Sequence, residues 1–251
     1  MINCKVKYGR GRVAQLVRAF DSHSKGPWFE SRRDHMRNRK LLFILVWLLL
    51  IVLSVVSPIK DIKFVLASKN QALLINLLQR FLGLLAFTLL FIQIFMGAYM
   101  EKLEEKLGKW VFKFHLFNGV LVYFLIFLHP AFYMLFLYKI KGVLDPFYIY
   151  SDLCVLCKGN LEYFYNFGRV ALWLITAGII AAVFRGADPF MKKNWRKFHL
   201  LNYLAFFLVA IHLRGVGTDA VVMPFYAFYW FSLLSVLLFA GKRFRQALKK
   251  L

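Results

Sequence analysis

FHLFNGVLVYFLIFLHPAFYMLFLY, residues Phe114–Tyr138, holds no Lys, Arg, Asp or Glu, yet it carries histidine at 115 and again at 129. A bilayer core is crossed by about 20 consecutive apolar residues in a helix. The apolar run is continuous, whereas a barrel strand alternates. Its backbone polar groups must pair internally at membrane depth, so it reads as a transmembrane helix. A shorter stretch, FHLLNYLAFFLVAIHL (Phe198–Leu213), repeats the arrangement with His199 and His212.

Working outward, four more apolar runs appear: Leu41–Ser57, Ala72–Met100 (interrupted only by Arg80), Phe167–Phe184 (with Arg169 near its start) and Ala220–Ala240. The expectation is an all-α integral membrane protein, a six-helix bundle. Composition agrees, with 61% hydrophobic residues and a net charge of +22. The charges cluster between the spans rather than covering a face, which excludes a nucleic-acid-binding domain. Six spans leave both termini on one side. The segments on that side, from Met36 onward, hold 17 Lys and Arg against seven on the other. The basic side is therefore expected to be cytoplasmic, with Cys154 and Cys157 outside. A five-helix alternative, omitting the short fifth run, would break this asymmetry.

Ionisable residues within a membrane are costly and are functional candidates by default. His115 and His129 are 14 residues apart, roughly 21 Å along a helix and nearly on one face. His199 and His212 are 13 apart, roughly 20 Å. Both helices run from inside to outside, so His115 pairs in depth with His199, and His129 with His212. A zinc site usually takes four ligands from Cys, His, Asp and Glu, and the spans offer no extra ones. A haem iron needs only two axial ligands, because the macrocycle supplies four. Thirteen residues on an ideal helix end about 140° from the starting face. The fifth span must therefore kink, wind differently or end near His212, where Gly215 and Gly217 follow. Interhelical hydrogen bonding is the plainer alternative for such histidines.

At these residues the chain resembles the ferric reductase-like transmembrane domain, shared with NADPH oxidases and related haem-binding membrane subunits. The resemblance covers about residues 70–240. It is carried by Arg80-Phe81-Leu82-Gly83-Leu84, by His115-Leu116-Phe117-Asn118-Gly119 through Leu128-His129-Pro130, and by Trp195-Arg196-Lys197-Phe198-His199 through Ile211-His212. It implies two stacked b-type haems, with His115 and His199 on the inner one and His129 and His212 on the outer one.

Haem propionates want cationic partners. Arg80 is the first candidate and Arg169 the second, although Arg169 can also snorkel to the interface. Lys113 and Lys197 are inner candidates but read more simply as topology charges. Phe206 and Phe207 lie between the fifth-span histidines, where core packing is the simpler reading. Cys154-Val-Leu-Cys157 is not a c-type haem attachment, because Lys158 follows where histidine is required. In an oxidising compartment it reads as a local disulfide, or as a redox-active pair fed by the outer haem.

Residues 8–35 have a different character. Ala14–Ala19 can be encoded by a sequence like the D-arm of a tRNA gene, and Phe29-Glu30-Ser31 by one like the T-loop. Residues 1–35 are expected to be a non-native leader, with 36–251 the membrane domain; a basic cytosolic tail is the alternative. His23, His35 and Cys4 are set aside with it. No GxGxxG following a strand and no P-loop is found. The resemblance thus implies a partner as electron donor, either a separate flavin (FAD or FMN) reductase or a quinol. Two outcomes follow: a ferric reductase-like conduit to an extracytoplasmic acceptor, or a haem subunit serving a periplasmic enzyme such as a methionine-sulfoxide reductase. A non-redox transporter or scaffold is the alternative of another class.

Overall fold

The computed structural model describes residues 27–157 and 159–248, and within them every regular element is helical. In chain order these are α1 (Pro27–Ile59), α2 (Ile62–Ser68), α3 (Gln71–Leu107), α4 (Trp110–Lys141), α5 (Pro146–Tyr150), α6 (Asn160–Val183), α7 (Pro189–His199), α8 (Leu201–Val216) and α9 (Phe225–Leu248). A 3₁₀ turn, Thr218–Val221, precedes α9. Six segments are long and apolar enough to cross a membrane: Arg37–Ile59, α3, α4, α6, α7 with α8, and Phe225–Arg243. This is a multi-pass membrane protein of six spanning helices. Large apolar side chains such as Leu49, Val120, Phe124 and Leu238 lie exposed around the bundle and meet lipid.

The helices outrun the apolar stretches that announce them. α1 begins at Pro27, upstream of Met36, in a segment whose sequence has no helical periodicity. Helix propagation from an apolar span needs no amphipathic pattern beyond it. The first 26 residues, with Cys4 and His23, lie outside the described residues. α3 continues past Met100 to Leu107 with non-helical dihedrals at Tyr99, a kink at the very end of the apolar run. The sixth span starts later than its apolar run: Ala220 belongs to the 3₁₀ turn, and the helix begins after Pro224.

The fifth span is not one continuous helix. It breaks at Leu200, immediately after His199, where the Tyr203 N–H donates to the Leu200 carbonyl three residues back. A 3₁₀-type bond of this kind overwinds the chain locally. α7 before the break is charged and lies at the basic end, while α8 after it is apolar. The break changes the phase of a helix whose unbroken geometry would splay His199 from His212.

α3 is central. It packs closely on α4 and on α1, while α6 packs on α8. The core is aromatic at mid-height, where Phe206 is fully buried and stacks on Phe87 at 5.1 Å. Phe225, Phe228 and Tyr229 of α9 surround Phe87. Phe206 thus has the core role, and Phe207 packs beside it.

At the end away from the basic segments, one ion network ties two loops to α1 and α3. Arg80 of α3 donates from Nε and Nη2 to the two carboxylate oxygens of Asp219, at 2.7 and 2.8 Å. Its Nη1 lies 2.7 Å from Asp61. Ser57 donates to Asp219 at 2.7 Å. Removing one partner of a buried ion pair strands the other charge, at about 3–5 kcal/mol, whereas exposed pairs contribute about 0–1 kcal/mol. The Asp219 side chain is 6% exposed and that of Asp61 46%. Asp219→Ala should therefore lower stability by about 3 kcal/mol, and Asp61→Ala by about 1 kcal/mol at most. Thermal unfolding of the two purified variants checks the ranking.

Candidate functional site

α4 faces α8 without close backbone approach, and across the gap its two histidines meet His212 of α8 and His199 at the end of α7. The His129 and His212 ring centroids are 6.3 Å apart, and those of His115 and His199 are 6.5 Å apart. The depth pairing expected from charge and spacing is the pairing observed. A metal–imidazole bond of about 2.0 Å, plus about 1.1 Å from nitrogen to ring centre, gives roughly 6.2 Å between two rings sharing one ion.

The His129–His212 pair is anchored through one nitrogen of each ring. His129 Nδ1 lies 2.9 Å from the Gln79 carbonyl, and His212 Nδ1 lies 2.9 Å from the Phe164 carbonyl. A carbonyl only accepts, so each Nδ1 carries its proton and donates. That fixes the tautomer and leaves Nε2 as a bare lone pair on both rings, the arrangement by which proteins prepare an imidazole ligand.

Glycines make the approach possible. A Cβ on Gly83 would lie 2.7 Å from His129 Cε1, and one on Gly168 would lie 2.9 Å from His212 Nδ1. Gly97 faces His115 in the same way, at 3.7 Å. α3 and α4 are antiparallel neighbours, so the 14-residue spacing of Gly83 and Gly97 mirrors that of His129 and His115. That matched spacing was legible in the sequence and was missed.

The His115–His199 pair is held differently. Gln93 Nε2 lies 3.1 Å from His115 Nε2. Gln93 Oε1 accepts from Asn118, and Asn118 Oδ1 accepts from the Trp47 indole at 3.1 Å. His115 Nδ1 is buried without a hydrogen-bond partner, so this pair retains an unmet nitrogen at membrane depth.

A cavity of about 390 Å³ opens beside the first pair, lined by His129, His212, Gly83, Gly168, Arg80 and Arg169, among others. Its size falls in the ~300–1,000 Å³ range of cofactor and small-molecule clefts. Arg80 reaches it, but all three of its guanidinium nitrogens are engaged by Asp61 and Asp219. The anionic partner that an arginine within a span demands is thus supplied by the chain itself.

Arg169 differs. It is 6% exposed, and its contacts are the Ile149 carbonyl, Asn166 Oδ1 and the Tyr148 ring. Among the described residues it has no carboxylate partner. It does not snorkel; it is a buried cation facing the cavity. Lys113 and Lys197 are exposed, as topology charges would be.

The lid of this end is built from α5, whose Tyr150 hydroxyl donates to the Phe127 carbonyl and whose ring stacks on Phe127. Trp173 donates to the Tyr150 carbonyl. Cys154 and Cys157 follow it and are joined by a disulfide. Among the described residues the one group of three side chains suited to a metal ion is Cys154, Cys157 and Glu162, apart from both histidine pairs.

Comparison with protein-family models, curated proteins and solved structures finds no match for this chain.

The glycine contacts make a sharp contrast. Alanine in a helix is favoured over glycine by roughly 0.5–1 kcal/mol. Gly97→Ala meets only ordinary contact and should be neutral or slightly stabilising. Gly83→Ala displaces a hydrogen-bonded imidazole and should be destabilising, a difference of sign that thermal unfolding of the two variants reads directly.

Proposed function

We propose that this protein carries electrons across a membrane through two b-type haems, each held between two histidines. The inner group would be bound by His115 and His199, and the outer by His129 and His212. The observation that carries the reading is the pair of histidine pairs, at 6.5 and 6.3 Å, stacked at two depths of one bundle.

Three further observations support a macrocycle over a bare ion. Neither pair has a third Cys, His, Asp or Glu ligand among the described residues. The cavity at the outer pair is of cofactor size. Arg169 offers it a buried charge that no carboxylate of the described chain neutralises, as a propionate would. At the inner site the Gln93 amide donates to the His115 Nε2 lone pair, and turning that amide aside would free the nitrogen for a ligand.

Bound haem supplies reversible one-electron chemistry at the iron. The chain's own part is to hold the imidazoles neutral, aim their free nitrogens and exclude water. Gln79 and Phe164 hold the outer rings in one tautomer, and Gly83 and Gly168 let them sit between helices. The basic end would face the cytoplasm and take electrons from a quinol or a separate flavin reductase. The cysteine end would face an extracytoplasmic acceptor. Membership of the ferric reductase-like family belongs to the same proposal.

The test is the absorption spectrum of protein expressed with adequate haem, oxidised and reduced. A reducible b-type signal of two haems per chain is expected. His129→Ala and His212→Ala should each remove the same half of it, and His115→Ala and His199→Ala the other half. Its absence from folded protein would reject the reading and leave the histidines a structural role. Arg169→Leu should weaken retention of the outer haem or shift its midpoint potential while sparing the inner one, checked by redox titration.

A further inference from the structure

Three consecutive residues at the start of α6 join the outer histidine site to the disulfide. The Phe164 carbonyl accepts from His212. The Tyr165 ring lies 6.4 Å from the His212 ring, and its hydroxyl bonds that of Tyr133 at 3.0 Å. The Asn166 amide donates to the Cys154 carbonyl at 2.6 Å, with the same nitrogen 3.4 and 3.5 Å from the two sulfurs. Asn166 Oδ1 in turn accepts from Arg169, which lines the cavity. The disulfide is therefore one side chain removed from the outer site.

Its surroundings suit a bond that opens. An amide N–H at the sulfurs stabilises charge that builds on a departing thiolate, as fixed donors do elsewhere. Glu162 places a carboxylate oxygen within 4.8 Å of both sulfurs, close enough to relay a proton through one water. Val155 and Leu156, between the cysteines, are 87% and 89% exposed, so the loop stays open to its surroundings. A clamp that only fastened the loop would need neither the carboxylate nor the amide, since Asp145 already caps α5 and Tyr150 and Trp173 already pin it.

We infer that Cys154–Cys157 is the electron acceptor at the outer end of the conduit, a redox-active disulfide rather than a static clamp. This rests on the electron-transfer reading above. The sulfurs take up two electrons and two protons: the S–S bond breaks and two thiols form. The electrons come from a quinol or reduced flavin at the basic end, which leaves as quinone or oxidised flavin. Asn166 stabilises the first thiolate, and solvent supplies both protons, one relayed through the Glu162 carboxylate. The resulting dithiol is the form that reduces outside disulfides by exchange.

The full chain, loaded with haem, is reduced anaerobically with dithionite and its thiols are counted with a maleimide-polyethylene glycol. Labelling is done in denaturant after the reaction is quenched, so Cys4 supplies one label in every sample and the disulfide adds two. Three labels are expected in the wild type, and one in His212→Ala. Asn166→Ala, which keeps both outer histidines, should show reduced haem bands but labelling slowed at least tenfold. Reduced haem bands with only one label would overturn this inference and leave the electron-transfer reading standing. Three labels at equal rate in His212→Ala would overturn it too, since the sulfurs would then be reduced without the outer site. No b-type band in the wild type would remove both.

Discussion

A neutral imidazole at membrane depth must find a partner for each nitrogen, and no water is there to provide one. The bundle meets this demand through the backbone. At the outer pair, carbonyls of α3 and α6 take the Nδ1 protons, although a helical carbonyl is normally committed to its own ladder. The two rings are thereby fixed in orientation, and the remaining nitrogens are available to something else. The helix positions, the glycine faces and the separation of α4 from α8 all follow from seating four rings in this way.

The cysteine end gathers most of the charge chemistry. Arg80, Asp61 and Asp219 form a closed network that neutralises itself and locks the turn before α9 to α3. Arg169, lining the same cavity as the outer pair, has no carboxylate partner among the described residues. Two arginines lining one cavity thus have opposite roles. One holds loops together, and the other keeps a positive charge facing the cavity. The basic end has no counterpart among the described residues: its lysines and arginines are exposed apart from the half-buried Lys40, and His115 is held by the neutral Gln93 amide, which Asn118 positions.

Arg80 also shows where reading residues singly falls short. An arginine within an apolar run announces that an anion is near, but not which one. Asp61 and Asp219 are 19 and 139 positions away, in loops with no sequence mark of their own. The same holds for Asn166, an ordinary polar residue until the turn of α6 lays it against the sulfurs. Gly83 and Gly97 were a readable signal, because their spacing repeats that of the histidines they face.

The sequence by itself determined the six spans, the basic side and the depth pairing of His115 with His199 and His129 with His212. Apolar length and charge bias act locally against a bilayer, and helical rise converts residue number directly into depth. Only the tertiary structure decided how the fifth span resolves its phase, breaking at Leu200, and which ring nitrogens are free. It also decided that Arg80 is neutralised by Asp61 and Asp219, while Arg169 meets no carboxylate among the described residues. Those outcomes depend on carbonyls and carboxylates from other helices and loops, and their positions are set by packing rather than by any local pattern.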